Sequence, residues 1–301
     1  MNVVVLAGGT GGALLAAGIS SASPEARLTV VANTADDDEF FGLLVCPDVD
    51  ATIYRLAGIF NGAAGYGQKD DTFNVLDAVA RAGGDSWFRL GDRDFATHLT
   101  RNSLLRSGLS LTQATLELCR RHGITAQVLP MTDEPVRTRF LTDGGPLSFQ
   151  EYFVRERLGP KLERIEFEGL DAAQPSSEVL AALAGADLVI IGPSNPLISV
   201  APILRLVASV LPKERTVAVT PIVGGASLKG PTVDMMVAMG HPATPVEVAR
   251  MYIASASVFV LDQRDRELSK PIERLGYRTI VCDTVMKDGG RDLAGVILSS
   301  V

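Results

Sequence analysis

A chain of 301 residues is long enough to bury a large core in one domain or in two smaller ones. Its 47% of hydrophobic and 21% of charged residues are typical of a globular protein, and no stretch approaches the roughly 18 uninterrupted apolar residues of a membrane-spanning helix. A net charge of −7 at pH 7 argues against a general nucleic-acid-binding surface. The sequence therefore predicts neither a nucleic acid nor a membrane as partner.

The N-terminus and the cysteines indicate the compartment. The chain enters an apolar strand at once, without the basic start of a signal peptide, and a cytoplasmic location is therefore predicted. Cys46, Cys119 and Cys282 are far apart and lack any Cys-x-x-Cys spacing. We expect reduced, buried thiols rather than a disulfide or a metal site.

The first predicted element is a buried parallel strand over residues 3–6, followed by a glycine-rich loop. The loop consists of Gly8, Gly9, Thr10, Gly11 and Gly12. Glycines let the backbone turn sharply and approach a ligand, and a helix predicted over residues 13–19 would present its free N–H groups to that ligand. Such a helix end favours phosphate, and a tight strand–helix turn without a ligand is the alternative.

This loop matches neither of the two common nucleotide-binding fingerprints. Leu14 occupies the position of the third glycine in the dinucleotide motif, and the segment has no lysine for a Walker motif. The loop therefore predicts a phosphate group, with a nucleotide as its simplest carrier, and does not identify that nucleotide.

Six carboxylates follow the second predicted strand, which covers residues 27–33. They are Asp36, Asp37, Asp38, Glu39, Asp48 and Asp50. Carboxylates on loops near a phosphate site suggest Mg²⁺, which commonly bridges one or two carboxylates to substrate phosphates. The alternative is that residues 36–38 cap the start of a helix, and for residues 37–39 capping or solvent exposure is the expectation.

A helical insert is predicted over residues 68–123, after a glycine-containing loop whose Tyr66 suits contact with a flat ring. Apolar residues recur there at helical spacing without a strand signal, and Ser110 is the predicted N-cap of a helix over residues 111–119.

The insert contains the single tryptophan, Trp87, and Arg89 follows it by two residues. Arg89 precedes a glycine turn into a helix, where its guanidinium is placed to hold a substrate oxygen or phosphate. Asp94 and His98 are one helical turn apart, and we expect a structural contact between them rather than catalysis by His98.

Beyond residue 125 the pattern is first β-rich and then alternates between strands and helices. Residues 136–141 and 147–149 predict a hairpin, and strand–helix alternation begins at Ser176. The loops that follow the later strands contain Ser194, Asn195, Pro196 and Gly224. We therefore predict an α/β fold in a single domain over residues 1–301, with a doubly wound, mostly parallel Rossmann-like sheet, a small helical insert and a short β-hairpin region.

Six motifs occur together in this order and carry a family resemblance. They cover residues 8–13, 46–50, 87–98, 149–155, 193–196 and 221–225. The set resembles the CofD/FbiA family of 2-phospho-L-lactate transferases, and the resemblance extends over nearly the whole chain.

The resemblance implies a step in the biosynthesis of the deazaflavin coenzyme F420. A GDP-activated acid would donate its phospho-acyl group to the ribityl hydroxyl of 7,8-didemethyl-8-hydroxy-5-deazariboflavin (Fo), with release of GMP and a requirement for Mg²⁺. The donor acid stays open among lactate, enolpyruvate and glycerate forms, and a homodimer is expected.

Matching motifs also imply the site residues. Asp36 and Asp50 are expected to hold the metal and to act in catalysis, with Asp50 also the candidate general base. Asp50 and Arg89 fall at positions that contact Fo, and Trp87 and Tyr66 are expected beside its ring. The implied nucleotide site comprises Gly8, Gly9, Thr10, Gly11, Gly12, Ser194, Asn195, Pro196 and Gly224.

Three positions depart from the family pattern and bear on the identity of the donor. Leu14 stands where relatives commonly carry a basic residue, Tyr66 replaces a usual tryptophan, and Ala35 replaces a common glycine.

The alternative function is a non-catalytic, UDP-sugar-binding regulator of the gluconeogenesis-factor type. A nicotinamide-dependent dehydrogenase is disfavoured by Leu14.

Overall fold

The computed structural model describes residues 1–228 and 230–300. In chain order its strands are β1 (Asn2–Ala7), β2 (Arg27–Ala32), β3 (Asp38–Phe40), β4 (Leu43–Val45), β5 (Gln127–Pro130), β6 (Arg137–Thr142), β7 (Gly145–Ser148), β8 (Leu162–Glu168), β9 (Leu188–Ile191), β10 (Thr216–Val219), β11 (Ile222–Val223), β12 (Ala226–Ser227), β13 (Val258–Asp262) and β14 (Arg278–Cys282).

The α-helices alternate with these strands over much of the chain. They are α1 (Gly9–Ala22), α2 (Pro47–Leu56), α3 (Asn74–Arg81), α4 (Asp92–Arg106), α5 (Leu111–Arg121), α6 (Ser177–Ala184), α7 (Ala201–Val207), α8 (Thr232–Ala238), α9 (Pro245–Met251), α10 (Ser269–Glu273) and α11 (Arg291–Ser299). Short π-helical turns cover Glu151–Arg155 and Pro196–Val200, and 3₁₀ turns cover Lys213–Arg215 and Gln263–Leu268.

Seven parallel strands form the central sheet in the order β5-β2-β1-β9-β10-β13-β14. Val5 of β1 pairs with Val30 on one side and with Ile190 on the other. The strand order reverses direction between β1 and β9, which is the arrangement of a doubly wound fold. The predicted α/β fold is confirmed, and its switch point lies at the ends of β1 and β9.

Helices cover both faces of the sheet, which explains why its inner strands are continuously apolar. Val3 and Val5 pack with α1 and α11, whereas Val4 and Leu6 face a second core that includes α6, α7 and α9. Side chains alternate between the faces of a strand, so one apolar strand supplies both cores. No helix among the described residues is long and apolar enough to span a membrane.

Three smaller antiparallel sheets accompany the central one in the described residues. The predicted hairpin is present as β6 and β7, and β8 adds a third strand that the sequence did not reveal, because its side chains are mostly charged. The second is the β3–β4 hairpin, and the third is the pair β11–β12. Residues 38–40 therefore form a strand, and the alternative that residues 36–38 cap a helix is wrong.

The predicted insert over residues 68–123 contains α3, α4 and α5. Ser110 caps α5 as predicted, in a reciprocal pair of hydrogen bonds with Gln113. Leu111 and Leu118 of α5 belong to the core cluster that includes Val128 of the central sheet. Helix α5 is therefore part of the layer that covers the sheet, and α3 and α4 are the helices that lie beyond it.

A pair of glycine substitutions tests the packing of α1 on α11. Gly18→Ala should lower the free energy of unfolding by about 1–3 kcal/mol, because overpacking forces the backbone apart. The added Cβ would lie 2.9 Å from Gly290 Cα, whereas a Cβ on Gly295 meets nothing within 4 Å. Gly295→Ala, inside α11, should stabilise by about 0.5–1 kcal/mol. Denaturant unfolding measures both, and effects of the same sign would contradict this packing.

Candidate active site

The predicted phosphate loop is the first turn of α1, which begins at Gly9 directly after β1. No side chain caps this helix, and no acidic residue lies in its first turn. The backbone N–H groups of this turn are therefore placed for an anion at the carboxyl end of the sheet. Gly8 N donates to Ser194 Oγ over 3.3 Å, which joins the turn to the loop after β9.

Close backbone approach at the switch point requires the glycines. A Cβ on Gly12 would lie 2.7 Å from Ala7 Cβ, and one on Gly192 would lie 2.8 Å from Gly12 Cα. Any side chain there would push the ends of β1 and β9 apart. The structure thus brings the glycine turn and Ser194 together where ligands bind in doubly wound folds.

The other predicted nucleotide residues have their own contacts. Asn195 Oδ1 accepts from Leu197 N over 2.9 Å and so caps the π-helical turn that begins at Pro196. Its side-chain nitrogen contacts only a methionine sulfur, a weak acceptor. Gly224 N donates to Asp265 Oδ2 over 2.9 Å, so this glycine is tied to the loop after β13 rather than to the glycine turn.

Two buried carboxylates, Asp36 and Asp48, face each other across one amide. Asn33 Nδ2 lies 3.1 Å from Asp36 Oδ2 and 3.0 Å from Asp48 Oδ2. Thr138 Oγ1 donates to Asp36 Oδ1 over 2.9 Å. Asp48 Oδ1 would lie 3.8 Å from a Cβ on Gly9, so the pair lies beside the first turn of α1.

This pair carries strongly perturbed pKa values. Burial and then the neighbouring charge of Asp48 raise the pKa of Asp36 well above its usual range. Burial raises the pKa of Asp48 to about 6. Neither carboxylate has a positively charged partner among the described ion pairs. Two buried oxygens of like charge fit a divalent cation, which would neutralise both.

The chemistry of these donors suits Mg²⁺ in particular. The described residues contain no group of three or more His, Cys, Asp or Glu side chains arranged around one metal position. Mg²⁺ keeps several waters and is usually bound through one or two carboxylates plus substrate phosphates. Asp36 and Asp48, next to an anion-binding helix end, meet that description.

Asp50, which is predicted to be a metal ligand beside Asp36, has surroundings different from those of Asp36. It forms a bidentate ion pair with the buried Arg101, in which Arg101 Nη1 donates to Oδ2 over 3.1 Å and Nη2 donates to Oδ1. The carboxylate that shares the Asn33 amide with Asp36 is Asp48, and the metal role of Asp50 stays a prediction. The surroundings differ because Asp48 and Asp50 are two residues apart on α2 and point in different directions.

The predicted contact between Asp94 and His98 is confirmed, with Nε2 3.5 Å from Asp94 Oδ1. Tyr54 Oη donates to the same Asp94 oxygen over 2.6 Å. Burial lowers the pKa of His98 to about 4, so the ring is neutral at physiological pH. This cluster of polar side chains joins α2 to α4.

Comparison with known proteins gives the family. The family model described as "2-phospho-L-lactate transferase CofD" matches residues 3–291. The chain belongs to the CofD family. A protein named 2-phospho-L-lactate transferase from Methanosarcina mazei is 36% identical, over 99% of this chain and 100% of the relative. A protein named phosphoenolpyruvate transferase from Streptomyces griseus is 38% identical, over 96% of this chain and 94% of the relative.

A solved structure shares the fold of this CofD-family chain. It is a protein of the UPF0052 family from Bacillus halodurans, with a TM-score of 0.67, 16% identity and coverage of 99% of this chain and 98% of its own. At this identity the likeness concerns the fold alone.

The three residues predicted beside Fo lie at the edge of the insert. Trp87 is half-buried and meets Phe40 edge-on at 5.6 Å between ring centroids. The exposed Arg89 stacks over Phe73 at 4.2 Å. Tyr66 is 47% exposed. None of the three contacts Asp50 through a hydrogen bond or ion pair in the described part of the chain.

Two aspartates near Trp87 have a structural role. Asp92 at the start of α4 accepts hydrogen bonds from Asn74 N and Val75 N and so caps α3. Asp71 accepts from Arg93 N and Asp94 N and so caps α4. The two helix starts therefore cap one another, and Gly91 is required because a Cβ there would overlap the Asp71 carboxylate.

Sequence reasoning missed four residues of the site. They are Asn33, Asp48, Thr138 and Arg101. Asp48 belonged to the acidic set but was not singled out as a metal ligand. Asn33 ends the second strand at the edge where ligands bind, which was an available signal. Thr138 and Arg101 had no local signal, because each is brought in from a distant element.

Asp48→Asn should separate the stability of the site from its metal binding. The folded state holds the pKa of Asp48 at about 6, whereas the unfolded chain releases this proton at about pH 4. Asp48 therefore lowers the free energy of unfolding as the pH rises from about 4 through about 6, and it has no such effect below about pH 4, where both states are protonated. Without metal, the variant should therefore be more stable than wild type by about 1–3 kcal/mol at pH 8.

Thermal unfolding with and without Mg²⁺ measures this effect. Mg²⁺ should raise the melting temperature of wild type and leave Asp48→Asn unchanged. Asp77→Asn, which alters an exposed carboxylate of α3, is the matched control and should behave as wild type. A variant that Mg²⁺ still stabilises to the full extent would remove Asp48 from the metal site.

Proposed function

We propose that this CofD-family chain transfers a phospho-acyl group from a GDP-activated acid to the ribityl hydroxyl of Fo, with release of GMP, in coenzyme F420 biosynthesis. The observation that carries the proposal is the buried pair Asp36 and Asp48 beside the uncapped first turn of α1. This combination of an anion-binding helix end and a site for a divalent cation suits a nucleoside diphosphate. Membership of the family supports the reaction class.

In this proposal the nucleotide lies on the switch point of the sheet. The N–H groups of the first turn of α1 bind the diphosphate, and Ser194 fixes the position of Gly8. Asp36 and Asp48 hold Mg²⁺, which when bound would neutralise charge on the diphosphate. The chain thereby orients the distal phosphorus and stabilises the negative charge that develops on its oxygens.

The acceptor approaches from the side of α2 and the insert. We assign Asp50 to the ribityl hydroxyl and Arg89, Trp87 and Tyr66 to the deazaflavin. The hydroxyl oxygen forms a bond to the distal phosphorus, and the bond from that phosphorus to the bridging oxygen breaks, so that GMP leaves. The hydroxyl proton passes to a carboxylate of the site, and we assign this role to Asp50. Holding both substrates in line supplies much of the rate enhancement.

The donor acid is a matter for experiment. Relatives named 2-phospho-L-lactate transferase and phosphoenolpyruvate transferase are similar to this chain at 36% and 38% identity, so identity does not separate them. A homodimer and a cytoplasmic location also stay predictions.

Product analysis tests the reaction. Fo with each candidate GDP-linked acid should give a phosphodiester-linked product and GMP, and chromatography of nucleotides with and without Fo measures it. Release of GDP, or release of GMP at the same rate without Fo, would contradict the transfer. Tight binding of UDP-N-acetylglucosamine without any turnover would instead favour the regulator alternative.

Arg89→Ala should weaken Fo binding by about 1–3 kcal/mol, the scale of a lost hydrogen bond to a charged group, and leave GDP binding nearly unchanged. Isothermal titration calorimetry with Fo and with GDP shows whether Arg89 belongs to the Fo site or to the GDP site. Arg81→Ala removes another exposed arginine, at the end of α3, and serves as the matched control. Loss of GDP binding with Fo binding intact would show that the two sites are reversed.

A further inference from the structure

Arg101 of α4 is fully buried and is among the largest side chains without exposed surface in the described residues. A guanidinium removed from water requires a compensating charge. Asp50 provides it through a bidentate pair that engages both carboxylate oxygens. This pairing neutralises the charge of the Asp50 carboxylate and also fixes its orientation. The planar guanidinium fork binds both carboxylate oxygens in one relative orientation only.

His98 completes the cluster on the same face of α4. Its Nδ1 lies 3.2 Å from Arg101 Nη1 and 3.6 Å from Asp50 Oδ2. Residues three apart on a helix are neighbours, so His98 and Arg101 reach one target together. His98 Nε2 and Arg101 Nε are both buried without a hydrogen-bond partner. A guanidinium can only donate, so His98 Nδ1 accepts from Arg101 and its Nε2 faces Asp94 at 3.5 Å. His98 therefore supports Arg101, and Arg101 is the side chain that engages Asp50.

The position of α4 does not depend on this ion pair. Asn102 exchanges two hydrogen bonds with Leu44 of β4, at 3.1 and 3.2 Å. Gln68 Nε2 donates to Thr97 Oγ1 over 3.2 Å, and Asp71 caps the helix. A buried ion pair is in addition weak support for stability, because apolar residues of similar volume commonly serve as well. Anchoring of α4 alone therefore does not explain Arg101.

We propose that Arg101, assisted by His98, is a positioning residue that orients the Asp50 carboxylate toward the acceptor. The proposal rests on the proposed function in one respect, the assignment of Asp50 to Fo. Arg101 acts through Asp50 and makes no contact with substrate itself. Any effect of Arg101 on acceptor binding should therefore disappear when Asp50 no longer carries a carboxylate.

A double-mutant cycle on Fo affinity tests this, with Fo and GDP titrated separately into the full chain. Arg101→Lys keeps a positive charge but loses the fork, and should weaken Fo binding about tenfold while GDP affinity stays within about twofold. The double variant Asp50→Asn with Arg101→Lys should bind Fo no more weakly than Asp50→Asn alone. If Arg101→Lys does not fold, His98→Gln replaces it in the cycle with Asp50→Asn, because this substitution exchanges one neutral side chain for another.

Asn102→Ala is the matched control, since it loosens α4 without touching Asp50. It should lower the melting temperature and keep wild-type affinity for Fo. Independent, multiplying losses in the double variant, equal losses of GDP and Fo affinity, or a loss of Fo affinity in Asn102→Ala would each overturn the positioning role. A wild-type protein that binds no Fo would overturn the proposed function, and the inference with it.

Discussion

The site depends on two buried carboxylates of like charge held against each other. Asp36 and Asp48 share the amide of Asn33, and this arrangement opposes folding unless a cation or a proton neutralises it. Four elements converge to impose it: the end of β2, the start of α2, the start of α1 and β6 through Thr138. The apolar cores on both faces of the sheet supply the stability that offsets this local cost.

The neighbouring carboxylate on α2 has the opposite environment. Asp50 is balanced by Arg101, whereas Asp48 accepts from the neutral amide of Asn33 and has no ion pair among the described residues. The first turn of α2 thus presents the uncompensated carboxylate of Asp48 to the glycine turn. It presents the ion-paired, oriented carboxylate of Asp50 to α4. A bound cation would belong on the first side. An oriented hydrogen-bonding group belongs on the second, where a neutral ligand needs direction more than charge.

The fold was predictable because its causes are local. Apolar strands, glycine turns and helix caps such as Ser110 each act over a few residues, and their alternation determines a doubly wound sheet. The pairing of carboxylates was less accessible. Residues two apart on a helix are about 200° apart around its axis, so the spacing of Asp48 and Asp50 was informative only once α2 was known to begin at Pro47. Arg101 arrives from about fifty residues away and leaves no local pattern.

The same helix therefore connects the two halves of the proposed reaction. Through Asp48 the first turn of α2 lies beside the glycine turn, which is the proposed nucleotide side. Through Asp50 it reaches Arg101 of α4, on the proposed acceptor side. A displacement of α2 would move both carboxylates together, so the metal position and the acceptor position are fixed relative to each other by one rigid element. In-line transfer demands that relation, because the attacking oxygen and the distal phosphorus must be held about 3–3.5 Å apart and aligned. The elements that anchor α2, namely the glycine turn on one side and the buried arginine on the other, consequently bear on catalysis as well as on packing.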